Sequence, residues 1–118
     1  MTQGDVFWVD LGDPVGSAPG YLRPCIVVQN NVFNRSQIKT VLVCSLTTNL
    51  RLASAYGNVL LRKGEANLPK ECVAIVSQII TIDRSLLAQR IGRVSAERVR
   101  EILLGIHLVI DPIVEDEG

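Results

Sequence analysis

The sequence predicts a mainly β fold: a small curled sheet or barrel with a single helix packed against it. Three observations predict it. Several short strand-like runs are separated by turn-forming clusters, one amphipathic run of helical period comes last, and the crossover helices that a parallel α/β sheet requires are missing. With 118 residues, 47% of them hydrophobic, the chain has apolar surface for one continuous core and reads as a single domain over residues 1–118.

Asp5 to Leu11 carries Trp8 and β-branched valines and reads as a strand buried on at least one face. Gly12 to Gly20 holds three glycines and two prolines, which marks a long irregular connection of the kind that is usually functional or disordered. Pro24 then opens the strand-like run Cys25–Val28, at a first position where a proline is expected to sacrifice no ladder bond. Asn30 to Asn34 is rich in turn formers with room for a helical turn, and Thr40–Leu46 is a third strand ending at Thr47-Thr48-Asn49. Asn58–Leu61 is a short strand, and Cys72–Ile82 a long one broken only by Ser77 and Gln78.

Asp83 suits the N-cap of a short turn through Leu87, with a brief strand over Gln89–Val94 after it. Ser95 can cap the last helix, Glu97 lies in its first turn, and Val99, Ile102, Leu103 and Ile106 recur on one face. Arg98 stands where a capping box would carry Glu or Gln, and Gly105 costs about 0.8–1 kcal/mol relative to alanine in mid-helix, so packing must hold this helix. Pro112 stops it, leaving an acidic, frayed tail over residues 112–118.

Charge is segregated along the chain. The formal total is zero, yet Pro14 to Gly64 contains Arg23, Arg35, Lys39, Arg51, Arg62 and Lys63 and no acidic residue. If that segment folds onto one face it carries a positive field for phosphates; if the fold scatters it, these are ordinary solvated cations. No apolar run approaches the roughly 20 residues of a membrane span, and the first residues lack signal-peptide character, so the expectation is a cytoplasmic protein without membrane attachment. Cys25, Cys44 and Cys72 each sit in an apolar run and read as buried core thiols.

Several chemistries lack their residues. There is no phosphate-cradling Gly-x-x-x-x-Gly-Lys-Ser/Thr loop, and the glycines at 12, 16 and 20 do not follow dinucleotide spacing. No Cys-x-x-Cys pair exists and His107 is the sole histidine, so neither a His-rich metal site nor a two-histidine ribonuclease can be assembled; no metal or cofactor is expected. His107 borders the apolar face of the last helix, and Asp10 is either a site residue at a strand end or a loop-initiating acid.

What remains is Arg23, after the long loop, and the Thr47-Thr48-Asn49 cluster, both at strand ends. Around them stand Gly4-Asp5-Val6-Phe7-Trp8-Val9-Asp10, Gly16-Ser17, Arg23-Pro24 before Cys25-Ile26-Val27-Val28-Gln29-Asn30, Ser77-Gln78-Ile79 and Ile91-Gly92-Arg93-Val94. In this order and spacing the chain resembles, over essentially its whole length, the MazF/PemK (Kid) toxins of bacterial toxin–antitoxin pairs. The resemblance implies a small SH3-like barrel of the CcdB/PemK type with a C-terminal helix. It also implies a homodimer, an antitoxin partner with an acidic, partly disordered segment, and metal-independent, sequence-specific cleavage of single-stranded RNA of the mRNA-interferase kind. The family's catalytic arginine and threonine fall on Arg23 and Thr47, with Thr48 the adjacent choice. RNA contacts from the first loop and strand ends fall on Gly16, Ser17, Asn30 and Gln78, with Asp10 beside them.

Such a reaction uses the ribose 2′-hydroxyl to attack the neighbouring phosphorus, giving a 2′,3′-cyclic phosphate and a 5′-hydroxyl. A guanidinium suits the developing charge because its planar fork donates two hydrogen bonds to phosphoryl oxygens, whereas a group with a pKa above about 12 is a poor base. One departure stands out: many relatives carry a glutamate directly after the loop's Gly-Ser, and some a histidine before the arginine, where this chain has Ala18-Pro19 and Leu22. Two further readings of the same fold are a non-enzymatic toxin resembling the gyrase-poisoning CcdB branch, and an RNA-binding module without cleavage.

Overall fold

The computed structural model describes residues 1–17 and 21–112, so the acidic tail beyond Pro112 and the Ala18-Pro19 departure lie outside the described residues. Six strands, β1 (Asp5–Asp10), β2 (Leu22–Val27), β3 (Thr40–Thr47), β4 (Val59–Leu61), β5 (Cys72–Asp83) and β6 (Leu87–Arg93), form one antiparallel sheet in the order β4-β5-β3-β2-β1-β6. A helical turn, α1 (Asn31–Asn34), joins β2 to β3, and the helix α2 (Ala96–Ile110) follows β6.

The sheet cannot be flat. β3, β2 and β1 lie between β5 and β6, yet only Arg84–Leu86 connects those two strands. Four strand spacings amount to about 19 Å, whereas the link from Asp83 to Leu87 reaches at most about 14 Å. The sheet therefore curls into a half-barrel. Its concave side gathers Val9, Cys25, Val27, Val41, Val43 and Ile82, and draws Leu87 of β6 and Ile80 of β5 into the same cluster. The alternate residues, among them Val6, Ile26, Cys44 and Leu46, face the other way and pack beneath Ile102 and Ile106 of α2. Both faces of β2 and β3 are thus covered, which is why their sequences read as unbroken apolar runs rather than alternating ones.

The polar pair in β5 marks a bulge. Cys44 pairs with Ile79 and Leu46 with Ala74, so Ile75 to Gln78 stand opposite Ser45 alone. The groups this frees are satisfied locally: Val76 N donates to Asn58 Oδ1 at 3.1 Å, and the Cys44 thiol donates to the Ile75 carbonyl at 3.2 Å. A bulge bends a strand, and here it lets β5 serve the barrel with one half and pair with β4 with the other.

The terminal helix is capped by Ser95, whose hydroxyl accepts from Arg98 N at 3.2 Å. Arg98 does not complete a capping box; its side chain reaches Glu65 and Glu101. Gly105 is explained by packing. A Cβ there would run into the Gly57 carbonyl oxygen and lie 2.7 Å from Val76 Cγ1, so α2 sits backbone to backbone on the turn before β4. The three cysteines are free and buried, as expected.

Asp5 of β1 ties that strand to its neighbour β6 and to the chain's first residues. Its side chain, 3% exposed, accepts from Arg93 Nε at 2.8 Å, from Arg90 Nε at 3.2 Å and from Thr2 N at 2.8 Å. Burial pushes its pKa up, but the bonds from Arg93, Thr2 and Arg90 outweigh that and hold the carboxyl below its ordinary value. The boundaries differ from the sequence reading mainly at β2, which begins at Leu22 and so places Pro24 inside the strand. They differ also at β6, which begins at Leu87, and in two 3-10 turns, Leu50–Ser54 and Glu65–Asn67, that carry no periodic signal.

Gly105→Ala is expected to destabilise the protein by about 1–3 kcal/mol despite alanine's better helix propensity, because overpacking against Gly57 outweighs it. Denaturant unfolding measures this, and a gain in stability would contradict the close packing. Because Asp5 is held below its unfolded pKa, its contribution is present above about pH 4 and is lost as pH falls through the folded value. Asp5→Asn should accordingly lower the melting temperature at pH 7 and flatten its decline toward pH 3; parallel profiles for variant and parent would contradict the role assigned to the carboxylate.

Candidate active site

The site follows from one missing hydrogen. Leu11 N donates to Tyr21 O, so in the β1–β2 register the odd-numbered residues of β2 turn their backbone groups toward β1 and the even-numbered ones toward β3. Pro24 is even-numbered, and its absent N–H is the one that would continue the ladder to Leu46. The expectation that this proline sacrifices no ladder bond is corrected. Pairing of β2 with β3 covers Val27–Val43, Ile26–Cys44 and Cys25–Ser45 and stops there.

Beyond that point the strands part around a cleft of about 430 Å³. Continued two residues, the same register sets Arg23 across from Thr47, and both line the cleft together with Thr48. Leu46, Leu68 and Cys72, all nearly fully buried, form its floor; Trp8, Tyr21 and Lys70 stand around it. Trp8 is placed there by β1, where it lies directly across from Pro24.

The electrostatics favour an anion. Arg23 and Lys70 line the cleft, and among the described residues no carboxylate does. Burial pushes the Cys25 thiol up to about 12, against a lowering influence from the charge of Arg23, so this neighbour stays neutral and places no negative charge beside the guanidinium. The Thr47 hydroxyl accepts from Asn49 N at 3.2 Å. With that oxygen anchored by a donor, the hydroxyl proton remains available to point at a bound oxygen. Among the described residues no three His, Cys, Asp or Glu side chains gather into a metal-binding group.

The structure thus brings together Arg23, Thr47 and Thr48, and leaves the other candidates elsewhere. Asp10 lies in register with Leu22, but its carboxylate accepts from Gly12 N at 2.9 Å and it lines a separate groove with Asp13 and Val15. Gly16 and Ser17 are exposed in the loop and do not line the cleft. Asn30 lies past the opposite end of β2 from Arg23, where its side chain caps α1 by accepting from Val32 N at 2.8 Å. Gln78 is in the β5 bulge, half-buried and outside the cleft lining. Trp8, Tyr21 and Lys70 are cleft residues that the sequence reading did not select. Trp8 becomes visible only once the β1–β2 register is known, and Lys70 lies outside the basic middle segment. That segment does not fold onto one face: Arg23, Arg62 and Lys63 gather at the cleft end, while Arg35 follows α1 and Lys39 precedes β3 at the far end.

Known proteins share the sequence pattern and the fold. Residues 2–110 match the family described as PemK-like, MazF-like toxin of type II toxin–antitoxin system. The chain is 35% identical over 111 residues to Endoribonuclease MazF6 of Mycobacterium tuberculosis, covering 94% of this chain and 97% of that protein. It is 30% identical over 115 residues to Endoribonuclease MazF of Staphylococcus saprophyticus, covering 92% and 95%. Among solved structures, a mycobacterial endoribonuclease in complex with its cognate antitoxin superposes with a TM-score of 0.77 at 21% identity, covering 98% of this chain and 99% of that one. MazF from Deinococcus radiodurans gives 0.76 at 19% identity, covering 93% and 96%. The fold is that of the small β-barrel MazF structures. The chain belongs to the PemK/MazF family of type II toxin–antitoxin toxins.

Proposed function

We propose that this protein is the toxin of a type II toxin–antitoxin pair and acts as a metal-independent endoribonuclease, cutting single-stranded RNA at short sequences with Arg23 and Thr47. The observation that carries the reading is that these two residues, from separate strands, line one cleft whose described lining holds cations and no carboxylate. The endoribonuclease names of relatives at 30% and 35% identity favour cleavage over the gyrase-poison and binding-only readings.

In the proposed reaction the 2′-oxygen forms a bond to phosphorus while the bond from phosphorus to the 5′-oxygen breaks. The 2′-hydroxyl proton leaves to water in the open cleft, and the 5′-oxygen takes a proton back from water to depart as a hydroxyl. Charge accumulates on the non-bridging oxygens at the transition state, where the Arg23 fork donates two hydrogen bonds and Thr47 a third. Arg23 is a charge clamp in this scheme, and no metal is required to balance the charge. Asp10, bound to the Gly12 amide outside the cleft, is not the base. A homodimer and an antitoxin whose acidic segment covers the cleft complete the proposal, in line with the complex known for a structural neighbour.

The test is incubation with mixed RNA in excess chelator, followed by analysis of fragment ends. Cyclic phosphates and 5′-hydroxyls are expected, and intact RNA would overturn the reading. Arg23→Ala should lower kcat about 10²–10³-fold and Thr47→Val about tenfold, from loss of oxyanion donors and a charge-assisted bond respectively. Affinity for an uncleavable RNA, followed by the emission of Trp8, the only tryptophan, should change much less. Equal losses of turnover and affinity would indicate a binding module instead.

A further inference from the structure

The cleft does not end at Thr48. A second groove of about 680 Å³ shares Thr48, Pro69 and Lys70 with it and continues past Leu50 to Arg62 and Lys63, with Glu71 the only carboxylate in its described lining. We propose that the substrate strand runs on from the Arg23–Thr47 cleft into this groove, and that Arg62, Lys63 and Lys70 hold the phosphates beyond the scissile one. The inference rests on the endoribonuclease reading and extends it to the path of the strand.

Three observations carry it. The two depressions are continuous, and Lys70 lines both, so a strand seated on Thr47 and Thr48 meets Lys70 before it reaches Arg62 and Lys63. The cations are also in no ion pair among the described residues. Glu65 is the acid nearest in the chain to Arg62 and Lys63, but Arg98 grips it through Nε at 2.9 Å and Nη2 at 3.1 Å, while its Oε2 also accepts from Arg62 N at 2.7 Å. That fork, helped by the Arg62 amide, holds the Glu65 carboxyl below its ordinary range. Arg62, Lys63 and Lys70 form no ion pair with a described residue.

The third observation is rigidity. The segment between β4 and β5 is strapped down: Asn67 Nδ2 donates to Ile91 O at 3.2 Å, and Gly92 has no side chain where the Ala66 backbone presses on β6. The backbone that carries the flanking cations is thus fixed before the ligand arrives, which lowers the ordering cost of binding. A flexible basic loop would bind phosphates too, but without a fixed direction for the strand.

The experiment compares Arg62→Ala/Lys63→Ala with Arg35→Ala/Lys39→Ala, an equal loss of charge at the far end of the sheet. All four side chains are exposed, and thermal melts confirm that each variant is folded. The probe is a single-stranded RNA with 2′-deoxyribose at the cut site, bound at a series of salt concentrations, in a long form and in a form trimmed to the nucleotides flanking the cut. Each single-strand phosphate contact contributes about 0.7 to the slope of log affinity against log salt. The Arg62/Lys63 variant should therefore lose about 1.4 of slope and bind the long RNA about 25-fold more weakly at 0.1 M salt, with a much smaller loss on the trimmed form. The Arg35/Lys39 variant should match the parent, and Lys63→Glu should weaken long-RNA binding further than Lys63→Ala. If the two double variants behave alike, or the loss is the same on long and trimmed RNA, the groove is not the path. If the parent itself neither binds nor cuts RNA, the endoribonuclease reading falls as well.

Discussion

The pairing of β2 with β3, and the point at which it stops, is the constraint on which the site depends. Side chains alternate faces along a strand, so a one-residue slip would turn Arg23 away from Thr47 and move Cys25 and Ile26 each into the opposite cluster, where neither is packed to fit. Burial fixes the register, because both faces of the two strands are covered by core. Pro24 fixes the end of the ladder. One residue thus sets the limit of the sheet and the opening of the cleft, and Arg23 precedes it by a single position because that is where the strands have just separated.

The curl imposed by the short link from β5 to β6 does the rest. It wraps the sheet around Val9, Val27 and Val43, leaves the outer face for α2, and brings the turn around Pro69 and Lys70 beside the open end of β2 and β3. Two glycines make the outer layer possible. Gly105 admits the turn at Gly57 against the helix, and Gly92 admits the Ala66 backbone against β6, so each marks a contact between main chains that no side chain could share. Arg98, which fails as a capping-box residue, is instead the cation that neutralises Glu65 at the base of the β4–β5 strap.

These cases show what the sequence makes legible and what it does not. Strand and helix positions follow from periodicity and turn residues, which are local. Ser77 and Gln78 read as interruptions of a strand, and the bulge is their cause, but its size depends on a partner strand 30 residues away in the chain. Gly105 reads as an unexplained cost until the turn at Gly57 is seen against it. In the site, Arg23 and Thr47 are identified by their places at strand ends and by resemblance, whereas Trp8 and Lys70 carry no local mark and enter only through register and curl. Asn30 is suggested by the resemblance as a strand-end contact, yet a strand has two ends, and it lies at the one opposite Arg23.

The chemistry asks little of the protein beyond position. In the proposed reaction a guanidinium and an anchored hydroxyl meet at one phosphate, in a cleft whose neighbouring thiol is kept neutral by burial. Two side chains that act on the same charge cannot contribute independently. A double-mutant cycle on single-turnover cleavage, using Arg23→Ala, Thr47→Val and the pair, measures this directly. The expected result is a double variant far less impaired than the product of the two single losses. Losses that multiply would place the two groups in separate roles and contradict a shared phosphate.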